Sequence, residues 1–336
     1  MKPDMTGKVV INGRFLARRV SGVERHGREV LHCMGGLSRV ESTLQQGWRG
    51  HAWEQFILPT RLNQGSVLWS PANTGPIMVR RQALTIHDLS PLEHPEWFHA
   101  SFARWYRLFL PILARRVQRV FTPSEYVKEK VIRRFGITAV HVTPNGVNLS
   151  LFHPDAKQTR FDLPRKYVLF VGSLEPRKNL SRLLQAWDEI RVDFGEVWLI
   201  IVGVSGNVFK PIRVAREMEQ VYFLGYVDDE TLAGLYAGAS LFVLPSHDEG
   251  FGLPALEAMA SGTPVLVSDG GALPELVGDA GLVFCQANPN DLKNKLRESL
   301  SNAKHGAVFR EKGFERAKDF SWPRTAEIVW KNLHDI

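Results

Sequence analysis

The chain predicts an α/β protein of two domains, each a parallel sheet with helices on both faces. Three observations predict it. Strand-like apolar runs and helix-like amphipathic stretches alternate from end to end, the pattern of parallel sheets whose crossovers are helices. A composition break interrupts the alternation at residues 148–164, where Pro154 and Pro164 stand among few apolar positions, as in a linker. A fresh strand then opens at Tyr167-Val168-Leu169-Phe170-Val171-Gly172, and the alternation resumes. A length of 336 residues is enough for two such cores.

In the first half, strands are expected at residues 8–11, 66–69, 83–86, 119–122 and 140–143. Each is a short apolar run, as strands covered on both faces are. Helices are expected at 23–33, 101–117 and 124–135, with Pro111 kinking the second. Segment 35–65 is weakly patterned. In the second half, strands are expected at 167–172, 197–202, 221–224, 240–245, 264–267 and 282–284, and helices at 179–190, 229–237 and 253–260. Asn179 is placed to cap its helix, Asp228-Asp229 cap the next, and Pro254 takes an early helical position. The tail from Ser321-Trp322-Pro323 to Leu333 is a capped helix with Pro323 in its first turn. This divides the chain into a domain at 1–153, a domain at 165–320 and a terminal helix at 321–336.

Composition narrows the class. Apolar content of 44% and charged content of 23% fit a soluble globular chain. Cys33 and Cys285 are the only cysteines and have no metal-ligand spacing, which excludes a disulfide framework and makes a reducing cytoplasm the default. Residues 1–7 are polar and carry no signal core, and no apolar run approaches the roughly 20 residues of a membrane span. Charge is uneven: residues 1–164 hold 23 Lys and Arg against 12 Asp and Glu, whereas 165–336 hold 19 against 23. A first half at +11 in a chain of net +7 points to an anionic partner. No Gly-x-Gly-x-x-Gly follows the first strand, which disfavours a dinucleotide oxidoreductase.

The most informative segment is Ser246-His247-Asp248-Glu249-Gly250-Phe251-Gly252-Leu253-Pro254, which joins a buried strand to a helix. Open α/β sheets bind ligands at that edge, where helix N-termini offer free N–H groups. Glu249 belongs on the loop and Glu257, eight residues later, about two turns into the helix. That geometry suits a sugar on one side and an anionic leaving group on the other. Gly172-Ser173-Leu174-Glu175-Pro176-Arg177-Lys178-Asn179 ends another strand, and Lys178 is a fixed cation where a diphosphate would lie. In the first half, Gly22 in Ser21-Gly22-Val23-Glu24-Arg25 lets backbone approach a phosphate at a helix start. His87 and Asp88 end the strand at 83–86. Pro144-Asn145-Gly146-Val147 is a tight turn enabled by Gly146. The 101–120 stretch mixes Phe102, Trp105, Tyr106 and Phe109 with Arg104, Arg107, Arg115 and Arg116. It suits either a core helix with solvated arginines or an anionic membrane surface.

The run from Ser246 to Val265 resembles the Glu-x7-Glu signature of retaining GT-B glycosyltransferases of family four, with its glycines and Pro254 in register. The resemblance covers nearly all of the second half and the first half more loosely. It implies the GT-B fold, two Rossmann-like domains facing a cleft, with the last helix returning to the first domain. It also implies site roles. Glu249 would hold donor sugar hydroxyls and Glu257 the ribose. Gly250, Phe251, Gly252 and Leu253 would present backbone to the sugar or phosphate. Lys178 would bind the donor diphosphate from one domain and Gly22 from the other, His87 would contact the sugar, and backbone near Val227 would read the base. Many members carry an arginine where this chain has Ser173, so Arg177 is the candidate to balance the distal phosphate.

The resulting expectation is a retaining hexosyltransferase acting on a glycan or lipid-diphosphate-linked acceptor, cytoplasmic or peripheral at the inner membrane face. The wording Leu174-Glu175-Pro176-Arg177-Lys178-Asn179 looks most like mannosyltransferases of bacterial surface polysaccharide assembly, which makes GDP-mannose the expected donor. No Asp-x-Asp motif stands at a strand end, so no metal or other cofactor is expected. The rivals are a transferase using UDP-sugars, a sugar-nucleotide epimerase of the same fold, and a non-catalytic carbohydrate-binding subunit. A nucleic-acid binder lacks any recognisable motif.

Overall fold

The computed structural model describes residues 8–17, 20–35, 39–44, 47–156, 161–205, 209 and 218–336. The polar stretch 1–7 and residues 157–160 of the expected linker lie outside them. The chain forms two compact units, one of Met1–Glu93, Ser101–Gly146 and Ser321–Ile336, the other of His94–Ala100 and Val147–Phe320.

The first unit holds β1 (Val9–Asn12), β2 (Arg39–Glu41), β3 (Val67–Ser70), β4 (Gln82–Thr85), β5 (Arg119–Thr122) and β6 (Val140–Val142). They form one parallel sheet in the order β2-β1-β3-β4-β5-β6. Helices α1 (Gly22–Met34), α2 (Gly47–Ala52), α3 (Ser90–Glu93), α4 (Ala100–Arg116) and α5 (Glu125–Phe135) flank it. β1, β3 and β4 are buried at every position, which is why they announce themselves as apolar runs. β2 does not: Val40 is its one apolar residue, and its place beside β1 rests on backbone pairing, Ile11 with Val40. One side of the sheet packs Leu84 and Ile86 against Tyr106, Leu110 and Leu113 of α4 and Val127 and Val131 of α5. α5 starts where Ser124 Oγ accepts the Val127 N–H at 3.2 Å and stops at left-handed Gly136.

The second unit holds β7 (Lys166–Val171), β8 (Val197–Val202), β9 (Val221–Gly225), β10 (Leu241–Leu244), β11 (Val265–Ser268) and β12 (Leu282–Phe284). Their parallel order is β12-β11-β10-β7-β8-β9, the doubly wound arrangement of a Rossmann sheet. Its helices are α6 (Leu180–Ile190), α7 (Asp229–Gly238), α8 (Leu253–Ala260), α9 (Leu273–Val277), α10 (Asp291–Ser301) and α11 (Ala303–Ala317). Trp187 and Ile190 of α6, Phe170, Ile201, Val243 and Phe284 share one buried core. The strand order reverses between the neighbours β7 and β10, as it does between β1 and β3 in the first sheet.

The last helix, α12 (Trp322–His334), starts where Ser321 Oγ accepts the Arg324 N–H at 3.4 Å and packs against α1 in the first unit. Gly146 corrects the turn argument. It does not have positive φ, but a Cβ there would lie 2.1 Å from the Trp322 backbone nitrogen, so glycine is needed for close approach rather than for a special backbone angle. Thr325 Oγ1 ties the same turn by donating to the Pro144 carbonyl.

Candidate functional site

Three neighbouring strand ends build the site of the second unit. β7 runs into Gly172 and Ser173, then a 3-10 turn at Pro176–Lys178. β10 runs into Ser246–Gly252, and β11 into Asp269-Gly270-Gly271. The first two segments lock together through charge. Lys178 Nζ donates to Glu249 Oε1, and Arg177 Nη1 lies 2.8 Å from Glu249 Oε2. Ser246 Oγ donates to Glu249 Oε1 at 2.7 Å. The backbone seconds this, with the His247 N–H donating to the Arg177 carbonyl at 2.8 Å and Arg177 Nη1 to the Asp248 carbonyl at 3.0 Å. Residues 71 and 72 positions apart therefore share one cluster.

Burial alone would raise the Glu249 carboxyl, but Arg177, Lys178 and the Lys178 and Ser246 hydrogen bonds outweigh it and hold the pKa at about 2. Glu249 is thus an ionised, acceptor-only group at neutral pH. Glu175, which the motif reading did not single out, is the second carboxylate here. Arg177 Nη2 meets its Oε1 at 2.8 Å. Burial raises its pKa, with Arg177 and Lys178 opposing. Arg177 thus pairs with two carboxylates of its own unit, whereas the Lys178 ammonium makes its ion pair with Glu249 and acts on Glu175 only through its charge. Ser173 is half-buried on the same loop.

The expected Asn179 cap is not formed. Asn179 is left-handed at φ 53°, its side chain accepts no N–H of the helix start, and its buried Nδ2 makes no hydrogen bond among the described residues. Asp228 does cap α7, accepting from the Thr231 N–H at 2.8 Å, and Val227 lies half-buried just before it. At α8, Gly252 is the left-handed entry residue, with φ 101°. A Cβ at Gly252 would sit 2.5 Å from Leu273 Cδ2. Pro254 has no N–H, and those of Ala255 and Leu256 donate to the Gly252 carbonyl at 2.9 and 3.2 Å, which leaves the Leu253 N–H for a ligand at the start of α8. Gly250 and Phe251 are buried beside it. Glu257 is the fifth residue of α8, so it stands in the second turn, nearer the helix start than expected. It is buried, and its Oε2 accepts from Tyr236 Oη at 3.1 Å.

Two adjacent glycines escaped the motif reading. A Cβ on Gly270 would lie 2.5 Å from the Ser246 carbonyl oxygen, and one on Gly271 would lie 2.2 Å from that of Glu249. Only bare backbone lets the β11 loop press against the Glu249 loop.

In the first unit, the His87 Nε2–H donates to the Pro71 carbonyl at 2.8 Å, and the His87 backbone N–H to Asn73 Oδ1 at 2.7 Å. Nδ1 is left as the acceptor. Burial lowers its pKa, so the ring is neutral. Its neighbour is His26 of α1, with ring centroids 4.9 Å apart and edge to face. His26 is fully buried, and burial, then His87, lower its pKa to about 3, against an opposing hydrogen bond with Asn145 Oδ1 at 2.8 Å. The Pro-Asn-Gly turn thus supports the histidine pair. Asp88 Oδ1 accepts from the Ser90 N–H at 3.0 Å, a loop-ordering contact. A Cβ on Gly22 would meet nothing within 4 Å, so the fold itself does not demand glycine there.

Residues 153–316 match the family model described as glycosyl transferases group 1, and residues 66–151 match that of glycosyltransferase family 4. The O-antigen chain mannosyltransferase B of Escherichia coli is 33% identical over 263 residues, which is 74% of this chain and 68% of that protein. The serotype-specific mannosyltransferase WbdA of Escherichia coli is 29% identical over 273 residues, and this chain spans about a third of its length, 33%. Among solved structures, sucrose-phosphate synthase from Thermosynechococcus elongatus superposes with a TM-score of 0.76 at 20% identity, covering 97% of this chain and 98% of that one. Anabaena HepE in complex with UDP and glucose gives 0.73 at 16% identity, covering 98% and 100%. At these identities the structural likenesses speak for the fold alone, that of the GT-B proteins.

Proposed function

The chain belongs to the glycosyl transferases of group 1, and from that premise we propose that it moves mannose from GDP-mannose to a glycan with retention at the anomeric carbon. One observation carries the reading: Lys178 and Glu249, from different strand ends, meet as a buried ion pair where the second sheet reverses its strand order. A diphosphate entering there would take Lys178 as its counter-charge, and negative charge growing on the departing phosphate would be stabilised by that ammonium and the Leu253 N–H at the start of α8. Glu249, ionised and acceptor-only, would hold sugar hydroxyls. With its pKa at about 2 it is no proton donor at neutral pH, so a general-acid role is disfavoured. Front-face substitution without a covalent enzyme intermediate fits that division of labour. Glu257 is assigned the ribose, Val227 backbone the base, Gly22 the diphosphate and His87, through Nδ1, a sugar hydroxyl. With Arg177 occupied by Glu175 and Glu249, Lys178 carries most of the charge balance that Ser173 does not supply.

The test is a screen of GDP-mannose and UDP-sugars for slow donor hydrolysis, with the released anomer read by NMR and EDTA in parallel. GDP-mannose should be cleaved with α configuration, with EDTA having no effect. Inversion, or activity restored only by Mg²⁺ or Mn²⁺, would contradict the scheme. UDP-sugar cleavage alone would favour the second donor reading, which rests on the UDP bound in Anabaena HepE. Sugar isomerisation without transfer would favour the epimerase, and binding without turnover the carbohydrate-binding subunit.

The acceptor is proposed as a lipid-diphosphate-linked glycan met at an anionic membrane on the cytoplasmic side. On α4, Arg104, Arg107, Leu108 and Ile112 are exposed, and Trp48 and Phe56 are exposed on the segment whose His51 contacts Trp105, ring centroids 4.3 Å apart. Arg115 and Arg116 are engaged by the fold, donating to the carbonyls of Phe135 at 3.0 Å and Ile77 at 2.9 Å. The useful charge test is therefore Arg104→Gln with Arg107→Gln. It should weaken cosedimentation with anionic vesicles at low salt, where each basic side chain contributes about 1 kcal/mol. Equal binding to neutral vesicles would point to a soluble acceptor. No helix among the described residues is long and apolar enough to cross a membrane.

A further inference from the structure

Residues His94–Ala100 belong to the second unit although the chain on either side belongs to the first. Phe98 fixes this strap through an antiparallel bridge and a ring contact with Phe209, centroids 4.8 Å apart. The strap carries an aromatic ladder. His94 stacks on Trp97 at 4.0 Å and 12°, and the His247 ring lies near-parallel to Trp97 at 6.0 Å and 21°. His247 is two residues before Glu249, and its N–H is the one held by the Arg177 carbonyl.

The ladder is ordered and its polar atoms are partly unused. Gln286 grips His247 twice, with Oε1 3.0 Å from Nδ1 and Nε2 donating to the His247 carbonyl at 3.3 Å. The amide oxygen can only accept, so His247 Nδ1 carries the proton and Nε2 is a bare acceptor. The Trp97 Nε1–H donates to nothing among the described residues, and Trp97 is half-exposed and His247 exposed. A flat apolar surface, one free donor and one free acceptor match the apolar face and hydroxyls of a pyranose ring.

We propose that Trp97 and His247 form a subsite for a neutral pyranose of the acceptor glycan, beside the Glu249 loop. The inference rests on the glycosyltransferase reading above, because it is the neighbouring donor that makes this sugar an acceptor. The sugar would pack on the indole face, with one hydroxyl donating to His247 Nε2 and another accepting from the Trp97 Nε1–H.

The probe is α-linked mannotriose, titrated into the protein loaded with GDP and followed by saturation-transfer NMR, with GDP affinity and thermal melting measured on each variant. Trp97→Ala should lose at least tenfold in mannotriose affinity and Trp97→Phe, which keeps the ring, no more than about threefold. Both should bind GDP and melt like the wild type. Unchanged mannotriose binding in Trp97→Ala, or no binding to the wild type, would overturn the subsite. So would a parallel loss of GDP affinity, which would mark the ladder as a base-stacking or structural element. If GDP does not bind the wild type, the donor reading fails. A Trp97-dependent mannotriose signal in unloaded protein would then still support the sugar subsite, and its absence there would overturn it.

Discussion

Each unit buries a carboxylate and a cation where its strand order reverses, and the two clusters are built to different ends. In the first unit, Glu54 Oε1 accepts from Asn12 at 2.6 Å, Thr74 at 3.0 Å and Arg14 at 3.2 Å, and its Oε2 faces His51 Nδ1 at 3.6 Å. Glu54 and Arg14 are both buried, and Arg14 also donates to Thr74. Burial alone would raise the Glu54 carboxyl, but Arg14, the nearby His51 and the Asn12 hydrogen bond hold it at about 2. In the second unit, Glu249 reaches the same pKa, yet it is the one carboxylate in the Lys178 ion pair, and that side chain runs beside Gly172. A charged cluster with its donors consumed fixes a fold. One that can trade a protein carboxylate for a ligand phosphate can serve a reaction. The contrast lies in the surroundings, since the ion pairs themselves are alike.

Glu249→Ala should have the largest effect. Sugar transfer should fall below a tenth of wild type, with GDP affinity retained or improved because Lys178 loses its competitor. A turnover assay beside calorimetry decides this, and retained turnover would remove Glu249 from the sugar. Glu54→Ala is the matched change in the sealed cluster. It leaves Arg14 buried without a counter-charge, which costs about 3–5 kcal/mol. Urea unfolding should show that loss, with GDP affinity of the remaining folded protein unchanged. A cost below about 1 kcal/mol would mean that water reaches Arg14.

Acid sharpens the comparison further. His26 has a folded pKa of about 3, below its unfolded value near 6.5, so the unfolded chain binds the extra proton between these limits. Its penalty on stability therefore grows as pH falls from 6.5 toward 3. Glu54 and Glu249, at about 2 against 4.5, lose their stabilising contribution only as pH falls below 4.5. Glu175, raised by burial, runs the other way and favours the folded second unit on mild acidification. Hydrogen exchange should thus show α1 and the first sheet losing protection by pH 5.5, with β7 and β10 holding until below 4.5. Simultaneous loss would mean that the units unfold as one.

Much of this was legible in sequence. Strands covered on both faces read as unbroken apolar runs, so 197–202 and 282–284 fall where expected, and α8 begins at Leu253 as its proline suggests. Lys178 and Glu249 were found because each stands at a strand end, marked by glycine and proline. Their mutual ion pair was not legible, because it joins loops far apart in the chain. Arg14–Glu54 and His26–Asn145 were missed for the same reason: pairing across 40 and 119 positions leaves no periodic trace. Other misses had a signal. Gly270-Gly271 is a turn dipeptide after a strand. Leu292, Leu296 and Leu300 repeat every four residues along α10, with the first two fully buried. The left-handed Asn179 had none, since asparagine at that place equally suggests a cap.

The central claim is that Lys178 is the ligand-facing charge of the second cluster. Calorimetry of GDP, UDP and guanosine with wild type and Lys178→Ala tests it most directly. Loss of a charged hydrogen bond should weaken binding of the diphosphate carrying the donor's base by about 1.5–3 kcal/mol, leaving guanosine binding within error of wild type. Equal losses for GDP and guanosine would show that Lys178 only braces Glu249, and would contradict the account.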